Sequence, residues 1–151
     1  MAKLADMLIA AMGWTNSHLH AFRVGDARYG MNFDEFPEGE IDEKSATVLQ
    51  VLRDEKRFTF DYDFGDSWEH EVLVEDLSWS YFGLKYAVCL DGANACPPED
   101  VGGVPGYGDF VEAIADPANE EHESYLEWVG GSFDPAHFHV ADANALLQKV
   151  R

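Results

Sequence analysis

Between Phe58 and Val74 the chain alternates apolar or aromatic residues with acidic ones, and a period of two is typical of a β-strand. One predicted face carries Phe58, Phe60, Tyr62, Phe64, Trp68, His70, Val72 and Val74, and the other carries Asp61, Asp63, Glu69 and Glu71. The intervening Gly65-Asp66-Ser67 has the composition of a turn. We therefore predict a β-hairpin with one apolar face and one carboxylate face at the centre of the domain.

We predict the register of this hairpin by requiring that apolar residues of one strand lie opposite apolar residues of the other. A two-residue loop would place Phe64 opposite Glu69 and mix the faces, whereas a three-residue loop keeps them separate. The predicted pairs are then Phe64 with Trp68, Tyr62 with His70, and Phe60 with Val72. The same register sets Asp63 against Glu69 and Asp61 against Glu71. Like charges directly across a ladder are destabilising unless solvent, a basic group or a cation lies between them, so this face is a candidate functional surface.

The remaining elements are predicted from helical or strand periodicity and from turn residues. Helices are expected from about Leu4 to Gly13, from Ser45 to Leu52, from Tyr107 to Ala115, from Glu120 to Val129 and from Asp142 to Val150. Strands are expected over Asn16 to Val24, with His18, His20, Phe22 and Val24 on one face, and over Lys85 to Leu90. The segment Asp34 to Glu43 is expected to be a solvated loop, and Ala145, Leu146 and Val150 are expected to form the buried stripe of the last helix.

Composition narrows the classes of function that fit this pattern. With 151 residues, 46% of them hydrophobic and 13% aromatic, the chain is expected to form one globular domain over residues 1–151. Its formal charge of −19 repels phosphates and anionic lipid headgroups, so direct binding to duplex nucleic acid or to a membrane is not expected. No apolar run approaches the length that spans a bilayer and the first residues lack a signal pattern, which favours the cytoplasm.

Side chains suited to a borderline metal such as zinc are His18, His20, His70, Cys89 and Cys96. The Cys-x6-Cys spacing lies outside the short hook of a zinc ribbon, and two cysteines are too few for a disulfide framework. The simpler interpretation, which we favour, is that both cysteines pack within the fold and His70 donates a hydrogen bond within the sheet. No cofactor is therefore expected, and zinc is the alternative.

A site for a harder cation, Mg²⁺ or Mn²⁺, is the second metal hypothesis. Its ligands would come from the hairpin acids Asp61, Asp63, Glu69 and Glu71, or from the loop acids Asp66, Glu99 and Asp100. Such an ion would allow phosphoester hydrolysis despite the overall charge. Acidic runs are more often solvated faces, however, and the chain has no calcium loop, phosphate-binding loop, nucleophile elbow or HExxH motif.

An irregular loop rich in Gly and Pro begins at Cys96 and runs through Glu99 and Asp100 to Gly102 and Gly103. The two acids oppose anion binding at the backbone of the glycines. We therefore expect the glycines to permit a tight turn that packs the loop on the hairpin.

Three segments carry a resemblance to a known family: Trp14 to Phe22 (WTNSHLHAF), Tyr62 to Val72 (YDFGDSWEHEV) and Cys96 to Gly103 (CPPEDVGG). Together they resemble the plasmid pRiA4b ORF-3-like family, and the resemblance extends over nearly the whole chain. It implies an α+β roll with a mostly antiparallel sheet that contains a central hairpin, packed with several short helices. It also implies occurrence in bacteria, archaea and mobile elements, and it supplies no established biochemical activity.

Two features depart from the family pattern. Relatives usually carry an N-terminal hairpin before the helix that here begins near Leu4, so we expect an uncovered sheet edge that another element, a partner or a second copy of the chain covers. Many relatives have a further cysteine where this chain has Val101, which weakens a thiolate-rich metal site. The resolvase label of some relatives does not fit, since a serine resolvase needs a cationic cluster and a basic DNA-binding arm.

The leading hypothesis is a non-catalytic binding or accessory domain that recognises a protein through the hairpin and the segment from Pro98 to Tyr107. Its acidic surface suits a basic partner. Candidate binding residues are Asp63, Asp66, Trp68, His70, Glu99, Asp100, Gly102, Gly103 and Tyr107. The alternative is a metal-dependent hydrolase that uses the carboxylates and histidines around the hairpin and the loop of Glu99 and Asp100.

Overall fold

A computed structural model describes residues 1–31, 39–53, 55–76 and 85–150, and within these ranges the chain forms one mixed sheet and five α-helices. In chain order the elements are α1 (Ala2–Met12), β1 (His20–Val24), β2 (Ala27–Gly30), β3 (Glu40–Asp42), a 3-10 turn (Glu43–Ser45), α2 (Val48–Leu52), β4 (Arg57–Tyr62), β5 (Trp68–Leu73), α3 (Gly103–Ala115), α4 (His122–Trp128) and α5 (Val140–Leu147). None of the helices in the described ranges is long and apolar enough to cross a membrane.

The strands lie in the order β3-β2-β1-β4-β5. Neighbouring strands are antiparallel except for β2 and β3, which run parallel. A mostly antiparallel sheet with helices packed on it is an α+β fold, as the resemblance implied. Strand β1 is the middle strand, and the predicted hairpin, β4 with β5, supplies the last two strands of this order.

The predicted apolar face of the hairpin lies in the core. Phe58, Phe60 and Tyr62 of β4 are at most 5% exposed. The rings of Phe60 and Phe22, the latter from β1, lie 5.0 Å apart between centroids. The other fully or mostly buried members of this core are Met1, Ala5, Ile9, Trp14, Val24 and Leu52. Each buried aromatic side chain contributes roughly 1.5–3 kcal/mol, so this face is a main source of the stability of the fold.

The predicted register was wrong by two residues, because the hairpin turn is longer than three. Tyr62 pairs with Trp68, so the connection runs from Asp63 to Ser67. Asp63 has a φ of 56°, and its Oδ1 accepts hydrogen bonds from the N–H groups of Gly65 (3.0 Å) and Asp66 (3.3 Å). These bonds lengthen the turn to five residues.

Phe64 is therefore not on the apolar face of the hairpin. It lies in the turn and is 45% exposed, with the Arg28 guanidinium 5.1 Å above its ring. A shift of two residues returns every strand side chain to the face it had before, so the alternating pattern alone does not distinguish the two registers. The observed pairs are Tyr62 with Trp68, Phe60 with His70, and Phe58 with Val72.

On the carboxylate face Asp61 lies opposite Glu69, and a basic side chain lies between them. Arg23 of β1 donates from Nε and Nη2 to the two oxygens of Asp61, at 2.8 Å each, and from Nη2 to Glu69. These bonds raise the pKa of the Arg23 guanidinium above its ordinary value. Glu71 lies opposite Thr59 and pairs with Arg57. Arginine side chains therefore offset the like charges on this face.

Several predicted boundaries also differ in the structure. The segment 85–90 is not a strand: the side chain of Asn144 bonds both the N–H (2.8 Å) and the C=O (2.9 Å) of Cys89, in place of a strand partner. Helix α2 begins at Val48, later than the predicted start at Ser45, and is capped by Thr47. Strand β1 begins later than predicted, and α3 begins at Gly103, well before Tyr107.

The predicted acidic loop and the predicted stripe of the last helix need separate corrections. Residues 34–38 lie outside the described residues, while 40–42 form β3 and Glu43 is buried rather than solvated. In α5 the buried residues are Ala143 and Leu147, whereas Ala145 is exposed. Ala143 and Leu147 are four residues apart and therefore share the face of α5 that packs on the protein.

Candidate functional site

The loop before α3 packs directly on the hairpin turn. The N–H of Gly102 donates to Oδ2 of Asp66 over 3.0 Å. Gly103 lies so close to the turn that a Cβ there would be 2.3 Å from the carbonyl oxygen of Asp66. Both glycines have positive φ, 95° and 67°, which side chains with a Cβ rarely adopt. The tight turn expected from these glycines is present, and it joins the two predicted binding segments.

Glu99 is held in place by three donors on one of its two carboxylate oxygens. Oε1 accepts from the N–H of Thr15 (2.8 Å), from the Thr15 hydroxyl (2.9 Å) and from the Tyr62 hydroxyl (3.1 Å). The Tyr62 hydroxyl in turn accepts from the N–H of Ser17. Burial, with a further contribution from the charge of Glu99, raises the pKa of Tyr62 to about 12, so this hydroxyl stays a donor. The other oxygen, Oε2, is directed towards His18.

His18 is the point where three carboxylates meet, one from the hairpin turn and two from the loop before α3. Its Nε2 lies 3.3 Å from Oδ1 of Asp100 and 3.7 Å from Oε2 of Glu99, while its Nδ1 lies 3.6 Å from Oδ2 of Asp63. One ligand atom from each of His18, Asp63 and Asp100 lies within 4.8 Å of the others. We call His18, Asp63, Glu99 and Asp100 the His18 cluster.

Part of the His18 cluster is buried, namely Asp63 and the Nε2 atom of His18. Asp63 is 7% exposed, and its Oδ1 is already bonded to the turn, which leaves Oδ2 for His18. The Nε2 atom of His18 is buried and makes no hydrogen bond, although two carboxylate oxygens lie beside it. Asp100 is on the outside, with its side chain 74% exposed. The cluster thus has a buried inner side and an open outer side.

Aromatic side chains form the base beneath the cluster. Trp14 stacks on Tyr62 with ring centroids 4.7 Å apart and also contacts Trp68 (5.8 Å) and His70 (5.3 Å). Trp68 meets Tyr107 of α3 at 6.5 Å. The predicted binding residues Trp68, His70 and Tyr107 therefore lie together, but as packing between the hairpin and α3 rather than as groups that face the cluster.

The other four predicted zinc ligands do not join His18 among the described residues. His20 is buried and pairs with Glu43 at 3.0 Å. His70 shares a hydrogen bond of 2.9 Å with the carbonyl of Phe60, as the simpler interpretation expected. Cys89 and Cys96 are free thiols. Burial, reinforced by Glu99, raises the pKa of Cys96 to about 12, which disfavours the thiolate that a metal requires.

Sequence reasoning did not identify every residue that builds this site. Thr15 and Tyr62 position Glu99, and Tyr62 was assigned only to the apolar face. His18 was a candidate zinc ligand with His20 only in the alternative that we did not favour, and its neighbours in the structure come from the turn and the loop. All of these residues lie within the three family motifs, and that shared membership is the sequence signal that could have grouped them.

Comparisons with known proteins agree with this architecture. A profile of the family described as plasmid pRiA4b ORF-3-like protein matches residues 1–142. The chain is 42% identical over 153 residues to the uncharacterized protein y4hQ of Sinorhizobium fredii (strain NBRC 101917 / NGR234), with 99% of this chain and 78% of that protein covered. It resembles the crystal structure of the protein of unknown function MM3350 from Methanosarcina mazei Go1, with a TM-score of 0.80 and 33% identity, over 92% of this chain and 80% of the other.

Proposed function

This chain belongs to the plasmid pRiA4b ORF-3-like family, and we propose that its domain binds a divalent metal ion through His18, Glu99 and Asp100. The observation that carries the proposal is the buried, unbonded Nε2 of His18, which faces one oxygen from each of the two carboxylates. A buried imidazole nitrogen without a partner is costly, and a metal ion is a partner that both the nitrogen and the carboxylates accept.

The distances at the cluster are those of neighbouring metal ligands. Two ligands in a tetrahedral shell, each about 2.1 Å from the ion, lie about 3.4 Å apart. The corresponding separations from Nε2 of His18 are 3.3 Å to Asp100 and 3.7 Å to Glu99. Both separations from Nε2 are thus close to the value for two ligands of one ion.

Asp63 supports the proposal from the other side of the imidazole ring. A histidine that binds a metal through one nitrogen usually donates a hydrogen bond from the other nitrogen to a carboxylate, which fixes the orientation of the ring. Oδ2 of Asp63 lies 3.6 Å from Nδ1 of His18, and a shift of about 0.5 Å would bring it within hydrogen-bond distance. One imidazole with two carboxylates suits Zn²⁺ or Mn²⁺ better than Mg²⁺, which prefers oxygen ligands alone.

The proposal replaces both metal hypotheses drawn from the sequence. The thiolate set is absent from the site, and the hairpin acids Asp61 and Glu69 are already paired with Arg23. The proposed site joins one predicted zinc ligand, His18, to two acids predicted for a harder cation, Glu99 and Asp100. We propose metal binding and no catalytic step, since none of the four residues of the described cluster is placed as a nucleophile.

The test is titration of chelator-treated protein with ZnCl2, MnCl2 and MgCl2 in a calorimeter, together with elemental analysis. We expect one ion per chain and an affinity that falls at least about 100-fold in His18→Gln. The matched control is His137→Gln, which removes an exposed histidine outside the cluster. Equal affinities for the two variants, or no saturable binding of any of the three ions, would overturn the proposal.

A second variant examines the role of Asp63. Asp63→Asn keeps the acceptor oxygen for the N–H groups of Gly65 and Asp66 but removes the charge beside His18. Loss of a supporting carboxylate of this kind lowers metal affinity about 10–100-fold. Asp66→Asn is the control in the same turn. It keeps an oxygen that can accept from the N–H of Gly102 and lies outside the cluster, so its metal affinity should match that of wild type. If the two variants bind metal equally well, Asp63 does not orient His18.

A further inference from the structure

The helical half of the chain carries many acidic residues and almost no Lys or Arg. Residues 86–148 include twelve Asp and Glu residues and no Lys or Arg. This segment contains α3, α4 and α5. Since no cation of the segment itself offsets these carboxylates, the surface attracts cations from solution or from a partner.

A groove of about 370 Å³ opens within this acidic surface, between α4 and the loop before α3. It is lined by Asp100, Val101, Ser124, Tyr125 and Trp128. Trp128 is 48% exposed although it is one of the largest apolar side chains of the protein. The carboxylate of Asp100 stands at the same groove and is largely exposed.

The exposed indole is held by packing beneath it. The ring of Trp128 meets Phe110 edge-on at 5.9 Å and Tyr125 at 6.2 Å, and Tyr125 meets Phe110 at 5.3 Å. Phe110 itself is fully buried. An aromatic side chain that is fixed in position yet half exposed, next to a carboxylate, is typical of the residues that dominate protein interfaces.

From these observations we infer that the groove binds an arginine side chain from a basic segment of a partner protein. The guanidinium stacks on Trp128 and bonds the carboxylate of Asp100, while the aliphatic stem lies against Tyr125 and Val101. Glu121 adds a second negative charge at the rim, where its Oε2 accepts from the Ser124 hydroxyl over 3.1 Å. This inference goes beyond metal binding, because four of the five lining residues lie outside the His18 cluster.

The negative charge of the chain favours a basic peptide over other ligands of the groove. A nucleic acid carries phosphates that this surface repels, and a second copy of the chain carries the same formal charge of −19. A peptide rich in arginine carries positive charge, and its planar guanidinium groups stack on the indole ring of a tryptophan. Asp100 directs Oδ1 towards His18, so its second oxygen remains for the arginine.

The probe is a fluorescein-labelled peptide of alternating Arg and Ala, compared with the same peptide carrying neutral citrulline in place of Arg. Anisotropy titrations are run at physiological ionic strength with a chelator present, so that no metal ion contributes. We expect the arginine peptide to bind and Trp128→Ala to weaken it at least about tenfold without any change in net charge. If Trp128→Ala and wild type bind the arginine peptide equally well, the peptide is attracted by diffuse charge alone and the inference is overturned. Peptide binding that occurs only when a metal ion is added would also overturn it.

A second pair of variants keeps the test decisive if Trp128→Ala unfolds. Ser124→Arg places a tethered guanidinium in the groove, whereas Ser132→Arg makes the same charge change at an exposed position outside it. We expect Ser124→Arg to lose at least about tenfold in peptide affinity relative to Ser132→Arg. Equal weakening of peptide binding by the two variants overturns the inference.

Discussion

The carboxylate of Asp66 in the hairpin turn accepts a hydrogen bond from the N–H of Gly102, 3.0 Å away and 36 residues later in the chain. Through this bond the turn of the hairpin meets the start of α3, and the His18 cluster forms beside the junction. The next residue, Gly103, approaches the carbonyl of Asp66 so closely that only a residue without a side chain fits.

Replacement of Gly103 by alanine is therefore expected to destabilise the protein. The new Cβ would lie 2.3 Å from the Asp66 carbonyl oxygen, at a residue whose φ is 67°. Strain and overpacking together predict a loss of about 2–4 kcal/mol in the free energy of unfolding. Urea denaturation followed by circular dichroism measures this loss.

Gly108→Ala is the matched control within the same helix. No atom lies within 4 Å of the Cβ that this substitution would add. Alanine is favoured over glycine in a helix interior by roughly 0.5–1 kcal/mol, so this variant should be more stable than wild type. If Gly103→Ala were as stable as Gly108→Ala, the junction would not be as tightly packed as the structure shows.

Removal of Arg23 is expected to expose the repulsion between Asp61 and Glu69. In Arg23→Gln the two carboxylates still face each other across the ladder, with no cation between them. We expect a loss of about 1 kcal/mol in the free energy of unfolding, a modest value because the arginine is partly exposed. Chemical denaturation at low salt measures it.

A second substitution shows whether charge is the cause. Adding Glu69→Gln to the Arg23→Gln chain removes the repulsion and should restore most of the lost stability. Arg57→Gln is the control, since its partner Glu71 faces Thr59 rather than another acid, and the loss should be smaller. A double variant no more stable than Arg23→Gln would show that packing of the arginine, and not its charge, stabilises the strand.

The raised pKa of Cys96 predicts a pH dependence of stability. Burial and the charge of Glu99 raise this pKa from 9.0 to about 12. Below pH 9 both the folded and the unfolded chain hold the proton, so the thiol has no effect. Between those two pKa values only the unfolded thiol ionises, so the free energy of unfolding falls as pH rises, by up to about 1.4 kcal/mol per pH unit.

Cys96→Ala isolates this contribution. Its free energy of unfolding should fall less steeply than that of wild type when pH rises from about 8 to about 10. As an independent measurement, iodoacetamide should label Cys96 slowly in a folded Cys89→Ser chain and rapidly in urea, since the thiolate is the reactive form. Parallel pH curves for wild type and Cys96→Ala would contradict the raised pKa.

The faces of the hairpin were predictable from sequence, whereas its register was not. Alternation assigns Phe60 and Tyr62 to the core because each face has a period of two residues. A shift by two preserves that assignment, and the actual turn depends on hydrogen bonds from Gly65 and Asp66 to the side chain of Asp63. Only the geometry of the turn decides whether Phe64 belongs to the core.

The members of the His18 cluster were predicted separately and not as one site. Asp63, Glu99 and Asp100 were expected to bind a partner or, in the alternative, a hard cation, whereas His18 was a candidate ligand of a separate zinc site. Their meeting depends on tertiary bonds, such as those from Thr15 and Tyr62 to Glu99, which span 84 and 37 residues. No local spacing rule encodes such contacts, while the fold class followed from the family motifs.

The absence of Lys and Arg between Tyr86 and Gln148 has a practical consequence for studies of this surface. Trypsin cleaves after Lys or Arg, so residues 86–149 would leave a digest as one long fragment. Amine-reactive cross-linkers and enzymes that modify lysine have no target within the segment. Contacts made at Trp128 would therefore be missed by lysine-based mapping and would need chemistry directed at carboxylates.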